Sequence, residues 1–535
     1  MKISVKKISA VIALIMMAQF SGCKKEADNP QWDIDVLGPV MNATLGIDQL
    51  VADSLQVIDP DGKVRIVLED EIDNFDTDSV YTIPDTGIQT VYIWQFIPFT
   101  IPPGTPFFTN NKNILLNVKG AELLEAVIRK GNIRLTARNT LPTKVYFTYN
   151  IPEARRNGQP FSFSASVDSG SFSDPKIYTT TLDFSEYDVN LTGATFDLVN
   201  TFAYNVVARS DSAGPSIVVN PGDTLLNIST DMLGITPRYV KGYIGQDSFD
   251  AVDTFEVGIG NLFTGGQLLL DSARLRLDLK NNIGADIQAY ISSIRSVNSR
   301  TGNSVNLSAS DVLLRNLNIN RAFETGEDSN PIRPSTRTLV MDNSNSNLNV
   351  FLQNLPDRIV TDLRYTLNPL GNVSGNNDFI FDDRLISTSV RLEIPLRLST
   401  TDLTLTDTLT LSLAGFTDLE KLGDAELVLS AENGFPFDMD LQLLTIDNNR
   451  QVTDSLLIPG RIAAGTTDNN LQVTGRVRTD ITIPLDIHRK NRLLSSPYLI
   501  IRAVVNSVGN PDYLYIYQDY TLKLKLILDG SYGIR

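Results

Sequence analysis

The chain has 535 residues, a formal net charge of −16, one cysteine and one histidine. That charge repels nucleic acid and anionic lipid, a lone cysteine excludes intramolecular disulfides, and one histidine leaves no ordinary zinc site, which wants three or four His, Cys or carboxylate ligands. At roughly 150 residues per domain, the length predicts three or four domains.

Residues 1–22 have the plan of an export signal: Lys2, Lys6 and Lys7, an apolar run from Ile8 to Phe20, then the small residues Ser21 and Gly22. The run is too short for a spanning helix, which needs about 20 apolar residues, and no later segment approaches that length. Cys23 follows directly. The Ser21-Gly22-Cys23 sequence resembles a bacterial lipobox, with Phe20 where that pattern usually has Leu. The resemblance implies cleavage between Gly22 and Cys23, acylation of Cys23, and residues 23–40 as a tether. Losing three lysines and no acid takes the formal charge from −16 to −19.

Beyond the tether, period-two alternation of Val, Ile, Leu, Thr and Tyr recurs between Asp, Asn, Gly, Pro and Ser clusters, which predicts an all-β protein. Leu403–Leu413 shows the alternation most cleanly. Gly120–Arg129 is the best helix candidate, and Ala154–Asn157 reads as a marginal helical turn.

Three segments align without gaps: Gly131–Pro142, Ala273–Gly284 and Ala425–Pro436. Each is an alternating strand ended by Asn (Asn139, Asn281, Asn433), then one residue, an apolar residue, and Pro or Gly. Such an Asn tolerates left-handed geometry and bonds its own backbone two residues on, which predicts a strand-to-strand corner. Looser copies lie at Asn200, Asn368 and Asn506. A second signature sets the register, Asp253–Ile259 standing 28 residues before Asn281 and Asp407–Leu413 standing 26 before Asn433. The corner spacing and the polar stretches near 210 and 373 predict β modules at 41–210, 211–372 and 373–535. The pattern is similar to that of late-embryogenesis type-2 and other immunoglobulin-like sandwiches, which implies tandem antiparallel β-sandwich modules and no activity.

Reactive constellations are scarce. His488, in Asp486–Asn491, reads as a strand end entering a turn and has no Gly-x-Ser-x-Gly elbow to serve. No phosphate loop or βαβ alternation accompanies it. No cofactor or metal is expected; calcium alone stays open, because carboxylates and carbonyls suffice for it and Glu69–Asp78 is the densest acidic run. The least ordinary segment is 91–108, with Tyr92, Trp94, Phe96, Phe99, Phe107 and Phe108 among four prolines. These rings are either a buried edge strand or a surface for a partner, a sugar or a bilayer interface.

Lys24-Lys25-Glu26-Ala27-Asp28 is similar to the export signal of Bacteroidota-type surface lipoproteins, and Asp-Ser/Thr-apolar tripeptides at Asp53, Asp78, Asp211, Asp223, Asp271, Asp407 and Asp454 resemble that group's O-glycosylation acceptors. The resemblance implies an outer-membrane lipoprotein, with the periplasmic or cell-surface leaflet open. The leading expectation is a non-enzymatic protein that binds or scaffolds an outer-membrane protein complex. The alternatives are a surface glycan-binding lipoprotein feeding an outer-membrane transporter, and a hydrolase working through paired carboxylates about 5 to 9 Å apart.

Overall fold

In the computed structural model the described residues are 32–47, 53–72, 83–257, 263–327, 329–410, 422–447, 449–496, 498–508 and 513–534. Gly22 and Cys23 lie outside them, as do residues 73–78 of the acidic run and Leu411–Leu413.

The chain is all-β, as its alternation requires. The strands that build its sandwiches begin with β1 (Trp32–Gly46), β2 (Val64–Ile72) and β3 (Thr86–Ile93). Next come β4 (Pro106–Leu115), β5 (Glu122–Asn139), β6 (Val145–Arg156), β7 (Gln159–Val167), β8 (Lys176–Asp183), β9 (Thr201–Ser210) and β10 (Thr224–Tyr243). They continue with β11 (Asp247–Glu256), β12 (Arg274–Asn281), β13 (Ile287–Asn298), β14 (Asn303–Asn306), β15 (Ser335–Asp342), β16 (Arg358–Leu367) and β17 (Ile386–Pro395). The last are β18 (Arg397–Thr410), β19 (Leu422–Asn433), β20 (Phe437–Ile446), β21 (Val452–Ile462), β22 (Val477–Leu485), β23 (Tyr498–Ser507) and β24 (Thr521–Ile534).

Pairing sorts these strands into three sandwiches of one topology. In the first module one sheet runs β3-β10-β5-β8 and the facing sheet β4-β9-β6-β7. In the second the sheets are β2-β17-β12-β15 and β11-β16-β13-β14. In the third they are β1-β24-β19-β22 and β18-β23-β20-β21. Numbering the strands of any module along the chain, the two sheets read 1-8-3-6 and 2-7-4-5. All pairings are antiparallel, and this is the strand order of the eight-stranded jelly roll, a double Greek key. The repeat signatures fall on equivalent strands: Asp253 and Asp407 both stand on strand 2 of their modules, opposite Thr361 and Ile501 of strand 7.

The connectivity is nested. The second module takes its first strand from upstream of the first module, and the third takes its own from further upstream still. Consequently β10 lies beyond position 210 and β17 beyond 373, yet each closes the module that precedes it. By compactness the described residues form two units: one holds those before 48, Thr264–Gly266 and those from Thr400 onward, and the other holds the first and second modules.

Within each sandwich, inward residues of facing sheets make the core. Ile133, Leu135, Phe147 and Tyr149 are all buried in the first module, where the Tyr149 and Tyr204 rings stack 5.3 Å apart. Buried hydroxyl pairs tie the layers together, Thr90 to Tyr204 at 2.6 Å and Tyr365 to Thr388 at 2.7 Å.

The corner motif recurs atom for atom. Asn139 Nδ2 donates to Thr143 O at 2.8 Å and Asp168 O at 2.9 Å; Asn281 does so to Ala285 O at 2.8 Å and Asn320 O at 2.9 Å; Asn433 to Phe437 O at 2.8 Å and Ala463 O at 3.0 Å. Each Oδ1 accepts the N–H two residues on, from Leu141, Ile283 and Phe435. All three amides are buried. The expected left-handed geometry is absent from them and is found instead at Asn200 (φ 52) and Asn368 (φ 46). Extended φ suits a residue still paired in the sheet, as Asn281 is with Ile386. Asn200 and Asn368 flank strand 7 of their modules, Asn506 lies within it near its end, and all three make other bonds.

Three local expectations are corrected. Gly120–Arg129 is not helical: β5 starts at Glu122, because Leu124 O and Ile128 N are bonded by Leu191 and Tyr187 and partner strands override helix propensity. Ala154–Asn157 completes β6, with Asn157 at φ 53 in a turn. The stretch around His488 is a helix, α1 (Ile487–Ser495), rather than a strand end, and Asp486 caps it by accepting from His488 N and Arg489 N at 2.9 Å.

Candidate interaction surface

The aromatic segment is the connection between strands 1 and 2 of the first module. From Thr86 to Asn111 the sequence holds no Asp, Glu, Lys or Arg, so nothing in it needs solvent for a charge. The loop is nevertheless well pinned. Trp94 N donates to Asp223 O at 2.8 Å and Trp94 O accepts from Gly222 N at 2.7 Å. Phe99–Ile101 pairs with Ile217–Val219, and Ser210 Oγ donates to Pro102 O at 2.6 Å. Gly104, at φ +70 with Ser212 where a Cβ would point, takes the turn that Pro102 and Pro103 initiate.

These constraints separate the six candidate rings. Phe108 is buried and meets Tyr92 at a 5.1 Å ring spacing, so Tyr92 is an exposed ring with a packed flank. Trp94 is half-buried, 5.0 Å from Phe96 and 4.5 Å from Phe99, with Nε1 donating to Ile97 O at 2.8 Å. Phe99 and Phe107 are half-buried as well. Phe96 (64 % exposed) and Ile97 (80 %) stand furthest into solvent, flanked by exposed Val91 and Ile93 on β3. Val218, which the sequence reading passed over, is exposed on the strand paired with Phe99–Ile101. Its signal is faint, being one apolar residue in a short Val and Ile run.

A second cluster lies where the first and second modules meet, within one unit. Asp188, Val127, Tyr239 and Phe381 form one cross-strand row, and Asn190, Glu125, Lys241 and Phe379 the next. Glu324 lies over them, accepting from Tyr239 Oη and Lys241 Nζ at 2.6 Å each. Ala322, Ile332, Phe379 and Tyr239 are buried together beneath. Burial pushes the Glu125 carboxyl above its usual range, with Asp188 and Glu324 adding to the effect and Lys241 opposing it. Burial raises Asp188 too. For Glu324 burial is outweighed by the bonds from Lys241 and Tyr239, and its pKa falls. The charges thus serve a packed joint between modules.

His488 is exposed on the first turn of α1. Among the described residues no group of three or more His, Cys, Asp or Glu could hold a metal ion, and no helix is long and apolar enough to cross a membrane. Glu69 pairs with Arg391. Of the Asp-Ser/Thr-apolar hydroxyls, those of Ser54, Ser212, Ser272 and Thr408 are on exposed residues, Thr224 and Ser455 are half-buried, and Ser79 is outside the described residues.

No protein-family model matches the chain, and no curated protein matches it. Among solved structures, a protein of Parabacteroides distasonis proposed to be secreted aligns at 14% identity over 54% of this chain and 89% of its own, with a TM-score of 0.29. A Sulfolobus turreted icosahedral virus structure aligns at 12% identity over 89% and 99%, with a TM-score of 0.11. A broad bean stain virus structure aligns at 12% identity over 55% and 90%, with a TM-score of 0.12. Scores this low establish no shared fold, and the jelly-roll assignment rests on strand order alone.

Proposed function

We propose that this chain is an exported lipoprotein, acylated at Cys23 and held at an outer membrane, where it binds or scaffolds an outer-membrane protein complex without catalysing a reaction. The observation that carries the reading is the tip of the first module, where a charge-free, pinned loop presents Phe96 and Ile97 beside Val91, Tyr92 and Ile93. Contiguous exposed apolar residues on a rigid scaffold are the usual mark of a docking surface. The glycan-binding alternative draws less support, because Trp94, the ring best suited to stack on a sugar, is wedged between Phe96 and Phe99.

Two experiments test this. Fractionation of cells carrying the wild type or Cys23→Ala should show the wild type in outer membranes and the variant released from them; equal membrane retention of both would remove the anchor. Affinity capture from detergent-solubilised membranes should return a reproducible membrane protein with the wild type and lose it with Phe96→Ser/Ile97→Ser. Capture unaffected by the double change would remove the tip.

A further inference from the structure

The three modules serve as one another's controls, and strand 1 is where they differ. It ends the four-stranded sheet of the shared topology in all three. In the second module that edge is β2, which carries Arg65, Glu69, Asp70 and Glu71 and is covered by Gln56–Ile58. In the third it is β1, which carries Asp33, Asp35 and Pro39. Charges, prolines and a covering strand are the standard means of keeping a sheet edge from pairing with another chain. In the first module the edge is β3, Thr-Gly-Ile-Gln-Thr-Val-Tyr-Ile, with none of these guards. Among the described residues only β10 pairs with it.

We propose that β3 is a self-association edge, which pairs antiparallel with β3 of a second copy of this chain and joins two first modules through a continuous sheet. This goes beyond the role proposed above and does not depend on it. Three observations single out a second copy as the occupant. Residues 83–243 hold 13 Lys and Arg against 13 Asp and Glu, so the first module is neutral while the rest of the chain carries the whole net charge of −16. Net charge therefore opposes contact between copies least at this module. The strand can also pair with itself without burying a charge: a two-fold axis normal to the sheet at Gln89 sets Gln89 across from Gln89 and Val91 across from Gly87 on one face, and Thr90 across from Ile88 and Tyr92 across from Thr86 on the other. Finally, Val91, Tyr92 and Ile93 are exposed in the single chain, as residues awaiting a cross-strand neighbour would be. The opposite edge of the same sheet, β8, begins with Lys176 and ends with Asp183.

The test is sedimentation equilibrium of the full lipidated chain in density-matched detergent. The wild type is expected at the mass of two copies in the micromolar range. Val91→Lys and Gln89→Lys, both at exposed positions, are expected to raise the dissociation constant at least about tenfold while leaving circular dichroism and Tm unchanged. Gln89→Cys should give an oxidised dimer on the purified chain, and Ile177→Cys on β8 should not. A single-copy mass throughout, a dimer untouched by both lysines, or cross-linking through Ile177→Cys but not Gln89→Cys would each overturn the proposal.

Discussion

The side-chain amide of Asn281 donates to Ala285 O at 2.8 Å while its carbonyl accepts from Ile283 N at 2.8 Å, so one buried residue closes the turn between β12 and β13 from both ends. Asn281→Ala strands two carbonyls and one N–H in a site without solvent, and buried polar groups left unpaired cost roughly 1–3 kcal/mol each. Unfolding in urea should show a loss of about 3 kcal/mol, with Asn281→Asp at least as costly because a carboxylate faces the two carbonyls. Asn139→Ala and Asn433→Ala should behave alike; a loss under about 0.5 kcal/mol at any of them would contradict the shared role.

At the joint of the first two modules, Glu324 is bonded by both Tyr239 and Lys241. Glu324→Gln removes the ion pair and keeps one acceptor for the phenol. The pair is about one-third exposed on each side, so the loss should be near 1 kcal/mol, read as a lower Tm. Because the Glu324 pKa is lowered, its stabilisation is present above the ordinary glutamate value and is lost as pH falls through the depressed one.

Glu125 has the opposite sign. Its pKa is raised on folding, chiefly by burial, so the folded state is penalised once pH exceeds the unfolded value, and fully so above the raised one. Glu125→Gln should therefore raise Tm at pH 7–8, and the gap from wild type should close as pH drops through the ordinary glutamate range. Thermal melts across pH check this; a gap that widens on acidification would refute it.

The tip rings should split by role. Phe96→Ser and Ile97→Ser, at solvent-facing positions, should change stability by under about 0.5 kcal/mol. Trp94→Ala removes a packed ring and its bond to Ile97 O, and should cost about 2–3 kcal/mol. Equal melting curves for all three would mean that Trp94 packs less than its contacts indicate.

Local features were the legible ones. Alternation announced the strands, and Asn followed by one residue, an apolar residue and Pro or Gly announced the corner, because both depend on neighbours in sequence. Gly120–Arg129 was misread because its helix-favouring residues are claimed by distant strands at Tyr187 and Leu191. The helix α1 escaped notice because its run is mostly polar, and even Lys490 is buried in it beside Leu493. Nesting left no trace at all: β1 and β2 carry no repeat signature, and Ile34 pairs with Tyr532 across nearly the whole sequence. Nor does composition say which of six rings faces water.

The pairing of β1 with β24 also sets a timetable. A polypeptide threaded outward from its amino end delivers β1 first and β24 last, so the earliest strand to arrive waits for the latest. The first module can close as soon as β10 has emerged, the second only after β17, and the third only after β24. Synthesis that stalls before Thr521 leaves β1 without its sheet, an extended strand open to proteolysis. Completion of the third module thereby requires that every strand from β1 to β24 has arrived.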